Sequence, residues 1–217
     1  MPNWCYNSIQ ITGEPKNLKK LQTAITMIRG ANDDEVKNRL FQGLIGLPEG
    51  TNMDEYNNQG WYDVNVGWFG TKWDVNVDEF VQEMTDDYIY MSGDTAWSPP
   101  INFCIELSKL YKVDIEMYYE ECGSDFCGKT CVDSEGNHTE EDYEYQEGIY
   151  RFEGFSEWYN REFDSALEWM VDEFQDEDEL NFIEIIKDHY GFLTDEEVEE
   201  CASDLEKQMV AATGKEF

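Results

Sequence analysis

Three sets of residues in this 217-residue chain have the types and spacing to do chemistry. The first is Cys122, Cys127, Cys131 and His138, since three thiolates and an imidazole in a glycine-rich stretch suit a tetrahedral zinc ion. Their spacing, C-x4-C-x3-C-x6-H, contains no C-x2-C pair. Incidental thiols on a hairpin are therefore the stronger reading, and no metal is assigned. The second set is Trp68, Lys72, Trp73 and Trp97, a candidate ligand pocket in which rings stack on a nucleotide-like molecule and Lys72 meets its anionic part. The plainer alternative is an aromatic core, the usual use of large rings in a sheet-and-helix protein.

The third set is acidic. Glu157, Asp164, Glu168 and Asp172, the run Asp176-Glu177-Asp178-Glu179, and Glu196, Glu199 and Glu200 crowd the C-terminal part. Paired carboxylates can serve as acid and base, but among 49 Asp and Glu some pair always lies near another, so spacing alone selects none. Acids also favour helix N-termini and solvated faces, which is the ordinary reading. The sharper reading rests on spacing. At 1.5 Å rise per residue, carboxylates four residues apart stand about 6 Å apart along a helix, as Asp164, Glu168 and Asp172 would. That is of the order of phosphate spacing along DNA, so such rows on a rigid body imitate its charge.

Signatures of enzymes are missing: there is no G-x-S-x-G, no G-x-x-x-x-G-K-[ST], no H-E-x-x-H and no dinucleotide glycine fingerprint. His138 and His189 are the only histidines. The sequence therefore calls for no catalytic residue and no cofactor. A carboxylate-and-metal hydrolase stands last among the alternatives, behind a small-molecule module built on the tryptophans.

Charge narrows the choice. Fifteen Lys and Arg against 49 acids give a net charge of −34. That disfavours direct binding to duplex DNA or an anionic membrane, because both rest on basic residues neutralising phosphates. It points instead to the basic surface of a partner, such as a host nucleic-acid-binding protein or nuclease complex. Disorder is disfavoured by 7 Trp, 13 Tyr and 12 Phe, enough for a real core. No signal-like run and no apolar stretch near the length of a membrane span is present, so a cytoplasmic setting with reduced cysteines is expected. The acid is uneven: residues 1–31 carry +3, residues 32–120 carry −13 and residues 121–217 carry −24.

These groups must be held by an α+β scaffold. Residues 4–12 alternate and end at Gly13, which predicts a strand. Leu18, Leu21, Ile25 and Ile28 predict a helix from Pro15 to Gly30, and Asp34–Leu44 a second short one. Thr51–Gly60 reads as loop, the aromatic block Trp61–Trp73 as running into a strand at Val75 and Val77, and 88–92 as another strand. Ser98 is placed to cap a helix beginning at Pro99. That helix returns through Leu110 to a strand at 113–119, and Gly123, Gly128 and Gly136 punctuate a hairpin. From Phe155 the pattern is helical: one helix to Phe174, one over 180–190, and a third opened by the capping box of Thr194 and Glu197. The division expected is residues 1–150, α+β with a loop insertion and a hairpin extension, and 151–217, an acidic helical part packed on it.

Four ordered motifs carry a family resemblance: Met1-Pro2-Asn3-Trp4-Cys5-Tyr6-Asn7, Trp68-Phe69-Gly70-Thr71-Lys72-Trp73-Asp74, Thr95-Ala96-Trp97-Ser98-Pro99-Pro100, and Glu121-Cys122-Gly123 to Phe126-Cys127-Gly128. Together they resemble the YubB-like family of phage and plasmid proteins over residues 1–130. The resemblance implies a ferredoxin-like antiparallel sheet with helices on one face and a mobile-element setting, and no reaction. The expectation is an acidic phage or mobile-element protein that inhibits a host defence protein by DNA mimicry.

Overall fold

The computed structural model describes residues 3–177 and 180–215, and its chain falls into two units, Met1–Asp142 and Tyr143–Phe217. In the first unit β1 (Trp4–Gly13) leads into α1 (Pro15–Arg29). There follow α2 (Asp34–Lys37), α3 (Leu40–Ile45), α4 (Met53–Glu55), a π-helical turn (Tyr56–Gly60), α5 (Trp61–Trp68) and α6 (Val77–Phe80). Next come β2 (Val81–Met84), β3 (Tyr88–Ala96), α7 (Ile101–Tyr111), β4 (Val113–Glu121), β5 (Phe126–Val132) and β6 (His138–Tyr143).

The six strands form one sheet in the order β2-β3-β1-β4-β5-β6, with β1 antiparallel to both β3 and β4. The connections β1-α1-β2 and β3-α7-β4 each step over one intervening strand, which is the ferredoxin-like arrangement, and the β5–β6 hairpin widens it at the β4 edge. Alternation along β1 decides the faces. Cys5, Asn7, Ile9 and Ile11 are buried, whereas Tyr6 and Gln10 are exposed. Onto the buried face α1 sets Leu18, Leu21, Ile25 and Ile28, and α7 sets Phe103 and Leu107. Phe41 of α3 stacks on Phe103 at 4.1 Å and meets Phe80 edge-on at 5.6 Å, so the inserted helices close the same core.

Several elements differ from the sequence expectation. No strand runs through Val75 and Val77. Asn76 accepts the Asp78 amide and opens α6, and the edge strand begins only at Val81. Thr51–Gly60 is mostly helical because Asn52 accepts the amides of Asp54 and Glu55. Asp34–Leu44 divides into α2 and α3 at Asn38 and Arg39, whose backbones leave the helical region. Ser98 does not cap α7, which starts at Ile101. Its hydroxyl instead donates to the Gly70 carbonyl at 2.6 Å, joining two loops.

In the second unit the chain forms α8 (Tyr145–Glu153), α9 (Phe155–Trp158), a π-helical turn (Tyr159–Phe163), α10 (Asp164–Phe174), α11 (Phe182–His189) and α12 (Asp195–Thr213). The helix α8 was not expected from the sequence. Trp158 is fully buried, with ring centroids at 5.0 Å from Tyr190, 5.5 Å from Phe192 and 5.7 Å from Phe163. Thr194 and Glu197 form the capping box that opens α12. Among the described residues no helix is long and apolar enough to cross a membrane.

Candidate functional site

The acidic residues of the second unit are on its surface. Glu157 on α9, Asp164, Glu168 and Asp172 on α10, Asp176 and Glu177 just beyond it, and Glu196, Glu199 and Glu200 on α12 are all exposed, while Asp178 and Glu179 lie outside the described residues. Asp164, Glu168 and Asp172 line one groove of 400 Å³ with Leu167 and Val171 of α10 and Gln208, Ala211 and Ala212 of α12. Glu196, Glu199 and Glu200 sit near the other end of α12. Glu200 is about 12 Å along the axis from Gln208, so this second acidic set does not join that groove.

Residues 143–217 carry 23 acidic and 5 basic residues, a net charge of −18. All five bases have partners within the unit. Arg151 meets Glu147 at 3.0 Å, Arg161 meets Glu153 at 3.2 Å, Lys187 meets Asp195 at 2.8 Å and Lys207 meets Asp204 at 2.7 Å. Lys215 donates to the carbonyls of Gln175 and Glu177. None of these five cations pairs with the three carboxylates on α10 in these contacts.

The tryptophan set lies in the first unit, where the fold brings Lys72, Trp73 and Trp97 together while Trp68 packs against the core. Trp68 is part-buried against the core and donates its indole N–H to the Gly46 carbonyl at 3.0 Å. Lys72 is held between two rings, its Nζ 4.2 Å from the Trp97 centroid and 4.9 Å from that of Trp73. Its charge thus faces aromatic surface, an attraction of roughly 0.5–1 kcal/mol at such exposed sites. Trp97 has a left-handed backbone at φ 78°, a conformation that costs about 1–3 kcal/mol for a residue other than glycine. It is held there by its N–H on the Asn3 carbonyl at 2.9 Å and by the Thr95 hydroxyl on the Ser98 carbonyl at 2.8 Å. Gly70, at φ 90°, lets this loop approach α7: a Cβ there would stand 3.0 Å from the Pro99 oxygen.

Trp73 borders two clefts. One, of 620 Å³, is walled by Trp4, Trp73 and Phe80 and by Asp74, Glu79 and Asp94. The other, of 340 Å³, is lined by Trp61, Trp73 and Tyr56 with Arg39, Gln42 and Asn65. Asp74 stands between them and accepts amide hydrogens from Phe41 (2.7 Å), Gln42 (2.9 Å) and Val75 (2.7 Å), capping α3. Burial outweighs these donors and pushes its carboxyl up to about 6. Trp4, Asp74, Glu79 and Asp94 escaped sequence reasoning. Alternation in β1 separated Trp4 from the buried positions, but nothing local pairs it with a ring sixty-nine residues away.

The zinc candidates are dispersed. Cys127 is buried, with its thiol 3.3 Å from the Tyr118 hydroxyl, and Cys122 is exposed. Cys131 and His138 share a recess of 510 Å³. Among the described residues no group of three or more His, Cys, Asp or Glu is placed to hold a metal ion.

The ferredoxin-like sheet agrees with a family model that matches part of the chain. No curated protein matches the chain. A similar solved structure is the crystal structure of protein api92 from Yersinia pseudotuberculosis, at 14% identity, covering 67% of this chain and 98% of that chain with a TM-score of 0.43. Residues 89–162, which include all but the first residue of β3 together with α7, β4 and the β5–β6 hairpin, match the family model described as the ferredoxin-like domain in Api92-like protein.

Proposed function

We propose that this chain is an acidic phage or mobile-element protein of the cytoplasm that binds and inhibits a host nucleic-acid-binding protein or nuclease complex by DNA mimicry. The observation that carries the reading is the disposition of charge in residues 143–217. The few cations there are taken up by carboxylates and carbonyls elsewhere, and Asp164, Glu168 and Asp172 remain exposed along α10. A rigid helix spaces these carboxylates at about 6 Å, and the net charge behind them supplies the long-range field that draws in a basic surface. The YubB-like motifs of the first 130 residues support the mobile-element setting.

The reading is tested by capturing partners from a host lysate at low salt, then measuring by fluorescence anisotropy whether the chain displaces DNA from the captured protein. Displacement that weakens steeply with salt, and is lost in a Glu168→Lys/Asp172→Lys double variant, is expected. Capture that survives molar salt, or displacement unchanged in the double variant, refutes it.

A further inference from the structure

The 620 Å³ cleft of the first unit lies against an unfinished sheet edge. β2 pairs with β3 only between Val81 and Met84, opposite Met91 to Ile89, whereas β3 runs on to Ala96 with β1 on its other side. The Ser92 carbonyl accepts from Gln82 Nε2 at 3.1 Å, and the Ala96 carbonyl accepts from the Lys72 amide and the Thr71 hydroxyl. Both therefore turn away from β1. Alternation along the strand turns the amide and carbonyl of Asp94, midway between them, to the same side. Gly93, Asp94, Thr95 and Ala96 all line the cleft. A strand edge left open in this way is a template for another extended chain.

Side chains around that edge select a charge. The charged residues lining the cleft are Asp74, Glu79 and Asp94, all acidic, and among the described residues no lysine or arginine lines it, Lys72 standing over the Trp73 and Trp97 rings outside that lining. Trp4 and Trp73 stand beside them with ring centroids 5.9 Å apart, 51% and 39% exposed. Aromatic faces next to carboxylates favour a cation, most of all a planar guanidinium that can stack and donate together. The volume lies within the usual range of roughly 300–1,000 Å³ for a specific site.

We propose that this cleft binds an extended segment of another protein carrying an arginine, which adds to β3 at Asp94 through its backbone and seats the guanidinium between Trp4, Trp73 and the carboxylates of Asp94 and Glu79. Backbone pairing supplies the alignment, and the arginine pocket supplies the selectivity. The site is independent of the acidic helices, since every residue in it belongs to the first unit.

The test titrates the full chain with the capped peptide Thr-Val-Arg-Val-Thr, following tryptophan fluorescence and backbone amide shifts by NMR. Saturable shifts at Gly93–Ala96 and at the Trp73 indole are expected. Affinity should fall about tenfold when citrulline replaces arginine, when the arginine amide is N-methylated, and in Asp94→Asn or Trp73→Ala. Asp94 is exposed, so its substitution keeps the test valid if the tryptophan variant misfolds. Glu168→Lys/Asp172→Lys should leave peptide binding unchanged. No binding at millimolar peptide, or equal affinity for the arginine, citrulline and N-methyl peptides, overturns the proposal.

Discussion

Asp74 offers a measurement in which burial and hydrogen bonding pull in opposite directions. Its carboxylate sits under the N-terminus of α3 with three amide donors, yet burial dominates and raises its pKa from 3.8 to about 6. A carboxyl that holds its proton more tightly when folded contributes stability that is present below the unfolded pKa and is lost as pH rises through about 6. The full difference corresponds to about 3 kcal/mol. Asp74 remains part-open to the cleft, where water screens its charge, so about 1–2 kcal/mol is expected. The perturbation is Asp74→Asn, neutral at every pH. Urea unfolding of both proteins between pH 4 and 7.5 gives the difference directly, and repulsion among the many other carboxylates largely cancels between them. Wild type should lose about 1–2 kcal/mol relative to the variant across that interval. A difference that stays flat or grows in favour of wild type as pH rises would show that the three amides prevail over burial, and the reasoning would fail.

Other substitutions probe the parts that hold the surfaces. Trp158→Ala removes the ring at the centre of the second unit and should cost about 3–5 kcal/mol, read as loss of near-ultraviolet dichroism and a lower Tm. Gly70→Ala forces a side chain into a φ of 90° and against the Pro99 oxygen, so a loss of about 1–3 kcal/mol is expected in urea unfolding, with broadened Trp97 indole resonances. Thr194→Ala removes the acceptor for the Glu197 amide and should cost about 1 kcal/mol, seen as faster amide exchange in the first turn of α12.

The sequence carried the local rules. Alternation at 4–12 and helical spacing at 15–29 were enough to read β1 and α1, and the paired types of Thr194 and Glu197 were enough to read a capped helix, because each signal is complete within one or two turns of chain. It also carried charge, since −34 is a property of composition. Residues 61–80 were misread for a related reason. Their aromatic and β-branched content suits a strand, but Asp74 and Asn76 spend their side chains on capping α3 and α6, and the first of those partners lies more than thirty residues upstream. The tertiary structure decided which charged residues of different helices meet. Arg161 is engaged by Glu153 and Lys187 by Asp195 across elements, Arg151 and Lys207 pair with Glu147 and Asp204 one turn away in their own helices, and none of these contacts involves the row on α10. The tertiary structure alone brought Trp4 to Trp73 beside the open edge of β3, because strand order and register depend on contacts between residues far apart in the chain, and no local pattern encodes them.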